Sequence, residues 1–305
     1  MSLLLSILAQ DILPIFVVAA VGFVLARTLR VDVRSLSRVT FNALAPCLVF
    51  NLLVTSRLSS DEFGRIVLFT LAFVTTIGLV ARVVAIPFRL DRPLLAAFLI
   101  VVMFSNAGNY GLSVILFAFG REVLARAAVY FVTSALLMYT LGILVASTGR
   151  RSLALAARGL LKVPAVWGVV AAGLVIGSGM TLPPGVLRPV EVLSGAAIPT
   201  MLLVLGMQIE RGSWPERPGL VSAASVLALG VAPVLGWLIA GALGIEGIAR
   251  QAVIVESAMP SAVITTILAL EFDVAPSFVT SVVVVTTLLS PFTVAALIAL
   301  LKSGL

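Results

Sequence analysis

At 305 residues, 61% hydrophobic and only 11% charged, with a mean hydropathy of +1.22, the chain lies far from soluble domains, in which about 25% of residues are charged. It reads as an all-α integral membrane protein. One cysteine, Cys47, and no histidine exclude an internal disulfide, a cysteine metal cluster and histidine relays or metal sites. The net charge of +7 and pI near 10.7 follow from membrane topology rather than from binding nucleic acid.

A helix needs about 20 residues to cross about 30 Å of hydrocarbon. Runs of that kind fall, in order, at 4–26, 36–56, 63–86, 93–119, 122–148, 164–181, 187–209, 218–243, 248–270 and 275–301. The first, within "MSLLLSILAQDILPIFVVAAVGFVLA", lacks a basic start and keeps a spanning length, so it is not read as a signal peptide. Asp11 stands at its outer start, where it is expected to be solvated, and Pro14 lies near it. The second run, "FNALAPCLVFNLL", carries Pro46 and Asn51, which either faces a cavity or shapes packing. Asp61 and Glu62 follow in a break expected to be solvated. Arg82, toward an end of the third run, can snorkel.

The fourth run holds "MFSNAGNYGLSVILFAFG" (103–120), which puts Ser105, Asn106, Gly108, Asn109 and Gly111 amid apolar residues. The longest polar break, "TGRRSLALAARGLLKVP", follows the fifth run. Gly173 and Gly177 give the sixth a GxxxG close-packing signal. The seventh carries Pro199 and Gln208, the latter expected only to pack. The ninth, "VIVESAMPSAVITTILALEFD", places Glu256, Met259, Pro260 and Ser261 near its middle.

In or beside the loops after odd-numbered runs stand 13 of the 20 Lys and Arg residues. Cytoplasmic loops carry such an excess. Both termini are therefore expected outside, extracellular or periplasmic, in a bacterial-type inner (plasma) membrane. Prolines recur at a near-fixed offset: Pro14 with Pro164, Pro46 with Pro199, and Asn106 with Pro260. The expected organisation is a five-helix repeat over 1–148, a connecting loop over 149–163 and a second, inverted repeat over 164–305. Inverted repeats with interrupted helices are the plan of secondary transporters, whose site lies at the midplane.

Pro260 lacks a backbone donor and disfavours helix at Met259, and Asn106–Gly111 loosens the fourth run at the matching depth. Such breaks survive in hydrocarbon only inside protein or beside a wet cavity. Where two of them cross, half-helix N-termini present N–H groups that suit a carboxylate. The expected substrate-binding residues are Asn106, Gly108, Asn109, Gly111, Met259, Pro260, Ser261 and Asn51. Glu256, with Ser105, is the expected ion-coupling group, since intramembrane carboxylates line ion paths. It either carries a proton or holds Na⁺. No P-loop, Ser-His-Asp set or HExxH is present, so neither enzyme activity nor a cofactor is expected.

These motifs resemble the auxin efflux carrier family, which includes plant PIN-type carriers and bacterial permeases. "FNALAPCLVFNLL" is similar to the family's second helix. "SNAGNYG" resembles its fourth-helix crossover, with Asn106 and Gly111 matching and Ser105 in place of a proline. "AMPSAVITTILALEFDVAPSFVTS" resembles the ninth-helix crossover, matching at Pro260, Glu271, Phe272, Val274 and Pro276. The resemblance covers nearly the whole chain. It implies ten transmembrane helices, a scaffold of helices 1, 2, 6 and 7, a transport (crossover) part of helices 3–5 and 8–10, elevator-type motion and a homodimer in the lipid bilayer. It also implies organic anions as substrates: auxin in plants, and malate- or malonate-like dicarboxylates among bacterial members. Ser261 stands where plant carriers have an amide, which speaks against auxin. Glu256 resembles the acidic crossover residue of sodium-coupled bile acid carriers, which favours cation coupling. The alternatives are a cation transporter or Na⁺-coupled symporter using Glu256, and a non-transporting receptor or scaffold.

Overall fold

The structure, a computed structural model, describes residues 3–56, 58–147, 163–210 and 217–303. Among them every regular element is helical, apart from an isolated antiparallel bridge between Ser105 and Ser261. In chain order the helices are α1 (Leu3–Leu29), α2 (Val33–Thr55), α3 (Ser60–Val84), α4a (Arg92–Met103), α4b (Ala107–Phe119), α5 (Arg121–Ala146), α6 (Pro164–Ser178), α7 (Pro184–Glu210), α8 (Pro218–Ala242), α9a (Gly247–Ser257), α9b (Ile264–Phe272) and α10 (Pro276–Lys302). Seven are long and apolar enough to cross a membrane: α1, α2, α3 with the turn that follows it, α5, α7, α8 and α10. Helix α6 is only 15 residues long, shorter than the run at 164–181. The Arg150–Lys162 stretch falls outside the described residues.

Helix starts follow from local chemistry. Asp32 accepts hydrogen bonds from the N–H groups of Arg34 and Ser35, Ser59 from Glu62, and Asp91 from Leu94, each satisfying donors that a first helical turn leaves open. Gly120, at φ +81°, makes the one-residue turn between α4b and α5. Widened π turns at Leu8–Ile12, Thr40–Leu44 and Leu227–Val231 lie just ahead of Pro14, Pro46 and Pro233. Proline gives no N–H and crowds the carbonyl four residues back, so the turn before it opens. Helix α7, by contrast, runs on through Pro189 and Pro199 with no such turn.

Close backbone contact joins α1 to α7 and α2 to α6. A side chain on Gly22 would overlap the Leu203 carbonyl, and one on Gly206 the Ala19 carbonyl. One on Gly168 would come within 2.6 Å of the Pro46 carbonyl oxygen. Small residues let helices approach where lipid supplies no hydrophobic drive. Among the described residues of the chain the GxxxG pair makes no such contact: Gly173 and Gly177 are exposed, with nothing within 4 Å of an added Cβ.

A second set of helices is tied by polar bonds. The Arg126 guanidinium on α5 donates to both Glu62 oxygens at 2.9 and 3.0 Å and to the Glu122 carboxylate at 3.0 Å. Arg65 on α3 donates to the carbonyls of Leu243 and Gly244 after α8. These bonds correct the expected solvation of Glu62, which lies in the first turn of α3 and is bonded to the buried Arg126, whereas the Asp61 side chain in the same turn is 74% exposed. Asp11, also expected in solvent, sits inside α1 and pairs with Lys302 at 2.7 Å. Phe69, Phe73 and Tyr130 pack between α3 and α5 with centroids 5.9–6.4 Å apart.

Candidate functional site

Chain interruption at Phe104–Asn106 and at Ala258–Val263 frees backbone groups that would otherwise pair along a helix. They pair with each other. The Asn106 N–H donates to the Pro260 carbonyl at 2.7 Å, and the Ala262 N–H to the Phe104 carbonyl at 2.9 Å. Two residues of antiparallel ladder thus join the interrupted stretches at Ser105 and Ser261. Pro260 suits its place, because it lacks only the donor and its carbonyl is the group used. Residues matched by offset in the sequence, Asn106 and Pro260, are therefore hydrogen-bonded partners.

The side chains at the crossing divide into committed and open groups. The Ser261 hydroxyl donates to the Val101 carbonyl at 2.7 Å, and its N–H to Thr286 Oγ1 at 3.2 Å. The Ser105 hydroxyl donates to the Glu256 backbone carbonyl at 3.1 Å. Asn106 is buried, its carbonyl accepts from the Gly111 N–H at 2.9 Å, and its Nδ2 has no partner. Among the described residues the N–H groups of Gly108 and Asn109, opening α4b, and of Val263 and Ile264, opening α9b, meet no acceptor. All four residues are half-buried.

Glu256, near the end of α9a, is fully buried and neither carboxylate oxygen has a partner. A side chain at Gly111 would overlap that carboxylate, so the glycine of the fourth run makes the room the glutamate occupies. Gly108 likewise faces the Phe131 ring, 2.8 Å from an added Cβ. The crossing thus gathers Ser105, Asn106, Gly111, Glu256, Met259, Pro260 and Ser261, with Gly108 and Asn109 on the adjoining turn. Asn51 is tied elsewhere, donating from Nδ2 to Ser194 Oγ of α7 at 3.1 Å. Gln208 is on α7 with its Oε1 buried and unpartnered.

Sequence reasoning passed over the hydroxyl row of α10. Thr286 accepts from the Ser261 N–H, and Ser290 lies 3.3 Å from the Tyr110 hydroxyl. Thr286, Thr287 and Ser290 are all buried. "TTLLS" inside an apolar run was the available signal, a polar stripe one helical turn long. No group of three or more Asp, Glu, His or Cys side chains able to hold a metal ion is present among the described residues.

A family model described as membrane transport protein matches residues 7–158 and 146–298. An uncharacterized transporter of Methanothermobacter thermautotrophicus is 26% identical over 287 residues, covering 92% of this chain and 94% of its own. An uncharacterized transporter of Methanocaldococcus jannaschii is 26% identical over 214 residues, covering 68% and 69%.

Proposed function

Because the chain belongs to the auxin efflux carrier-like family of membrane transport proteins, we propose that it is a secondary active transporter of small organic anions. One observation carries this reading. Two interrupted helices meet, and the N–H groups opening their second halves stay unpaired, on residues that are half-buried. The positive ends of those half-helices, with Asn106 Nδ2 and Asn109, grip a carboxylate. No Lys or Arg occurs within 99–119 or 251–272, so peptide dipoles and amides supply the attraction. Ser261, whose donors are in use, holds the crossing together with Pro260. Gly108 and Gly111 keep the turn open, Met259 adds an apolar wall, and Asn51 fixes the adjoining scaffold.

Glu256 carries the coupling ion. A carboxylate with no partner, closed off from water, persists only when a proton or a bound Na⁺ neutralises it. Transport proceeds by an elevator-type motion of α3–α5 and α8–α10 against α1, α2, α6 and α7. Two features support that division: the glycine–backbone contacts of Gly22, Gly168 and Gly206 lie within the second group, and the Arg126, Arg65 and Thr286 bonds lie within the first. The pairings α1–α7 and α6–α2 exchange under a shift of five helices, as an inverted repeat requires. In this reading ten helices cross the bilayer, both termini face outside, and the carrier works as a homodimer in a bacterial-type plasma membrane.

Uptake into liposomes of labelled malate, malonate and indole acetate, with and without Na⁺ and a pH gradient, tests the proposal. At least one carboxylate accumulates against a gradient. Movement of Na⁺ or H⁺ with no organic anion required would replace the proposal with cation transport through Glu256.

A further inference from the structure

The Asp11–Lys302 ion pair joins two bodies that the proposed function sets in motion. Asp11 lies in the π turn of α1, a helix fastened to α7 at Gly22 and Gly206. Lys302 ends α10, which is fastened to the crossing through Thr286 and to Tyr110 through Ser290. Lys302 Nζ lies 2.7 Å from Asp11 Oδ2, with the Asp11 side chain 13% exposed and that of Lys302 32%. The ammonium also lies 5.6 Å from the centre of the Phe119 ring, at the end of α4b. Ring contacts also join the bodies among the described residues: Phe16 meets Tyr110 edge-on, and Phe41 meets Tyr139. Apolar rings tolerate sliding. A short, partly shielded ion pair does not, since its attraction depends on one geometry and on exclusion of water.

We propose that Asp11 and Lys302 form a latch that holds α10 and the crossing against α1 in the conformation of this structure. The latch rests on the two-body reading above. Its release is required whenever the crossing moves along the scaffold. Phe119 travels with Lys302, so the ammonium keeps its aromatic neighbour after it leaves Asp11. Asp11, left behind, meets water through the outer end of α1. The pair therefore sets the resting ratio of the two conformations without touching the cargo.

The test is a distance measurement between spin labels at Thr28→Cys on α1 and Leu270→Cys on α9b, both exposed, in a Cys47→Ser background in lipid nanodiscs without substrate. Asp11→Asn and Lys302→Gln each raise the ratio of a second distance to the first by about threefold or more, the scale of a partly exposed ion pair. The swapped double variant Asp11→Lys/Lys302→Asp returns the ratio toward that of the parent, and only in pair-bearing proteins does raising NaCl from about 0.05 to 0.5 M shift it. An unchanged ratio in both single variants overturns the latch, as does a shift that the swap leaves in place. If the shift and its rescue are seen in a protein whose liposomes move no organic anion, the latch stands and the transport reading falls.

Discussion

At Glu256 the chain encloses a carboxylate whose two oxygens meet no donor, against the backbone of Gly111. The absent side chain leaves the space the glutamate occupies, and Gly111→Ala displaces the Glu256 carboxylate from its place at the crossing. Gly111→Ala is therefore expected to abolish carboxylate uptake, while Gly173→Ala, with open space around it, leaves uptake within about twofold; counterflow rates in liposomes compare them. Glu256→Gln keeps the shape and removes the carboxylate proposed to carry the ion. It is expected to retain carboxylate exchange and lose gradient-driven accumulation, so unchanged accumulation would remove Glu256 from coupling. Asn106→Ala deletes an unpartnered buried donor. A hydrogen bond to a charged group contributes about 1.5–3 kcal/mol, so the apparent affinity for the carboxylate falls about ten- to a hundredfold, read from the concentration dependence of uptake. At this scale the sequence was legible where a residue type was out of place: an amide, a glutamate or a proline in an apolar run. It was silent about partners. Nothing in "AMPSAV" announces that the Ser261 hydroxyl is taken by Val101 and its N–H by Thr286, because both lie on helices remote in the chain.

Between elements, two devices hold the helices, and they fail differently. The glycine contacts leave no room for a methyl group. Gly206→Ala is expected to destabilise the protein by more than the about 1–3 kcal/mol typical of overpacking, because the obstructing atom is the Ala19 carbonyl rather than a movable side chain. Gly195→Ala, with nothing nearby, serves as the control in thermal unfolding. The Arg126 group is buried, with its side chain 6% exposed and that of Glu62 25%. Arg126→Gln leaves Glu62 without its partner, and breaking a buried pair costs about 3–5 kcal/mol; partial exposure of Glu62 puts the expected loss at or below about 3 kcal/mol, again read by unfolding. Helix positions were legible from apolar runs about 20 residues long and from Pro and Gly. The choice of contacting glycines was not. GxxxG pointed to Gly173 and Gly177, whereas Gly22, Gly168 and Gly206 make the contacts, since a spacing rule marks a small-residue face without saying whether a helix lies against it. Polar residues near run ends were misread as solvated for the same reason: Asp11 and Glu62 each have a basic partner far along the chain.

For the whole molecule, the crossing joins two irregular stretches far apart in the chain, and each supplies hydrogen bonds the other lacks. The offset between Asn106 and Pro260 made that meeting legible in the sequence. What composition could not supply was the direction in which freed groups point: four N–H donors stay open while the carbonyls of Phe104 and Pro260 are used. A site rich in donors and lacking Lys or Arg favours a negative cargo held by dipoles. The most direct measurement is equilibrium binding of labelled malonate to the purified protein in nanodiscs, challenged with unlabelled malonate, malate, indole acetate and the uncharged malonamide. The account predicts that at least one carboxylate competes while malonamide does not, and that Asn106→Ala weakens the binding about ten- to a hundredfold. Equal competition by malonamide, or carboxylate binding that Asn106→Ala leaves intact, would contradict it.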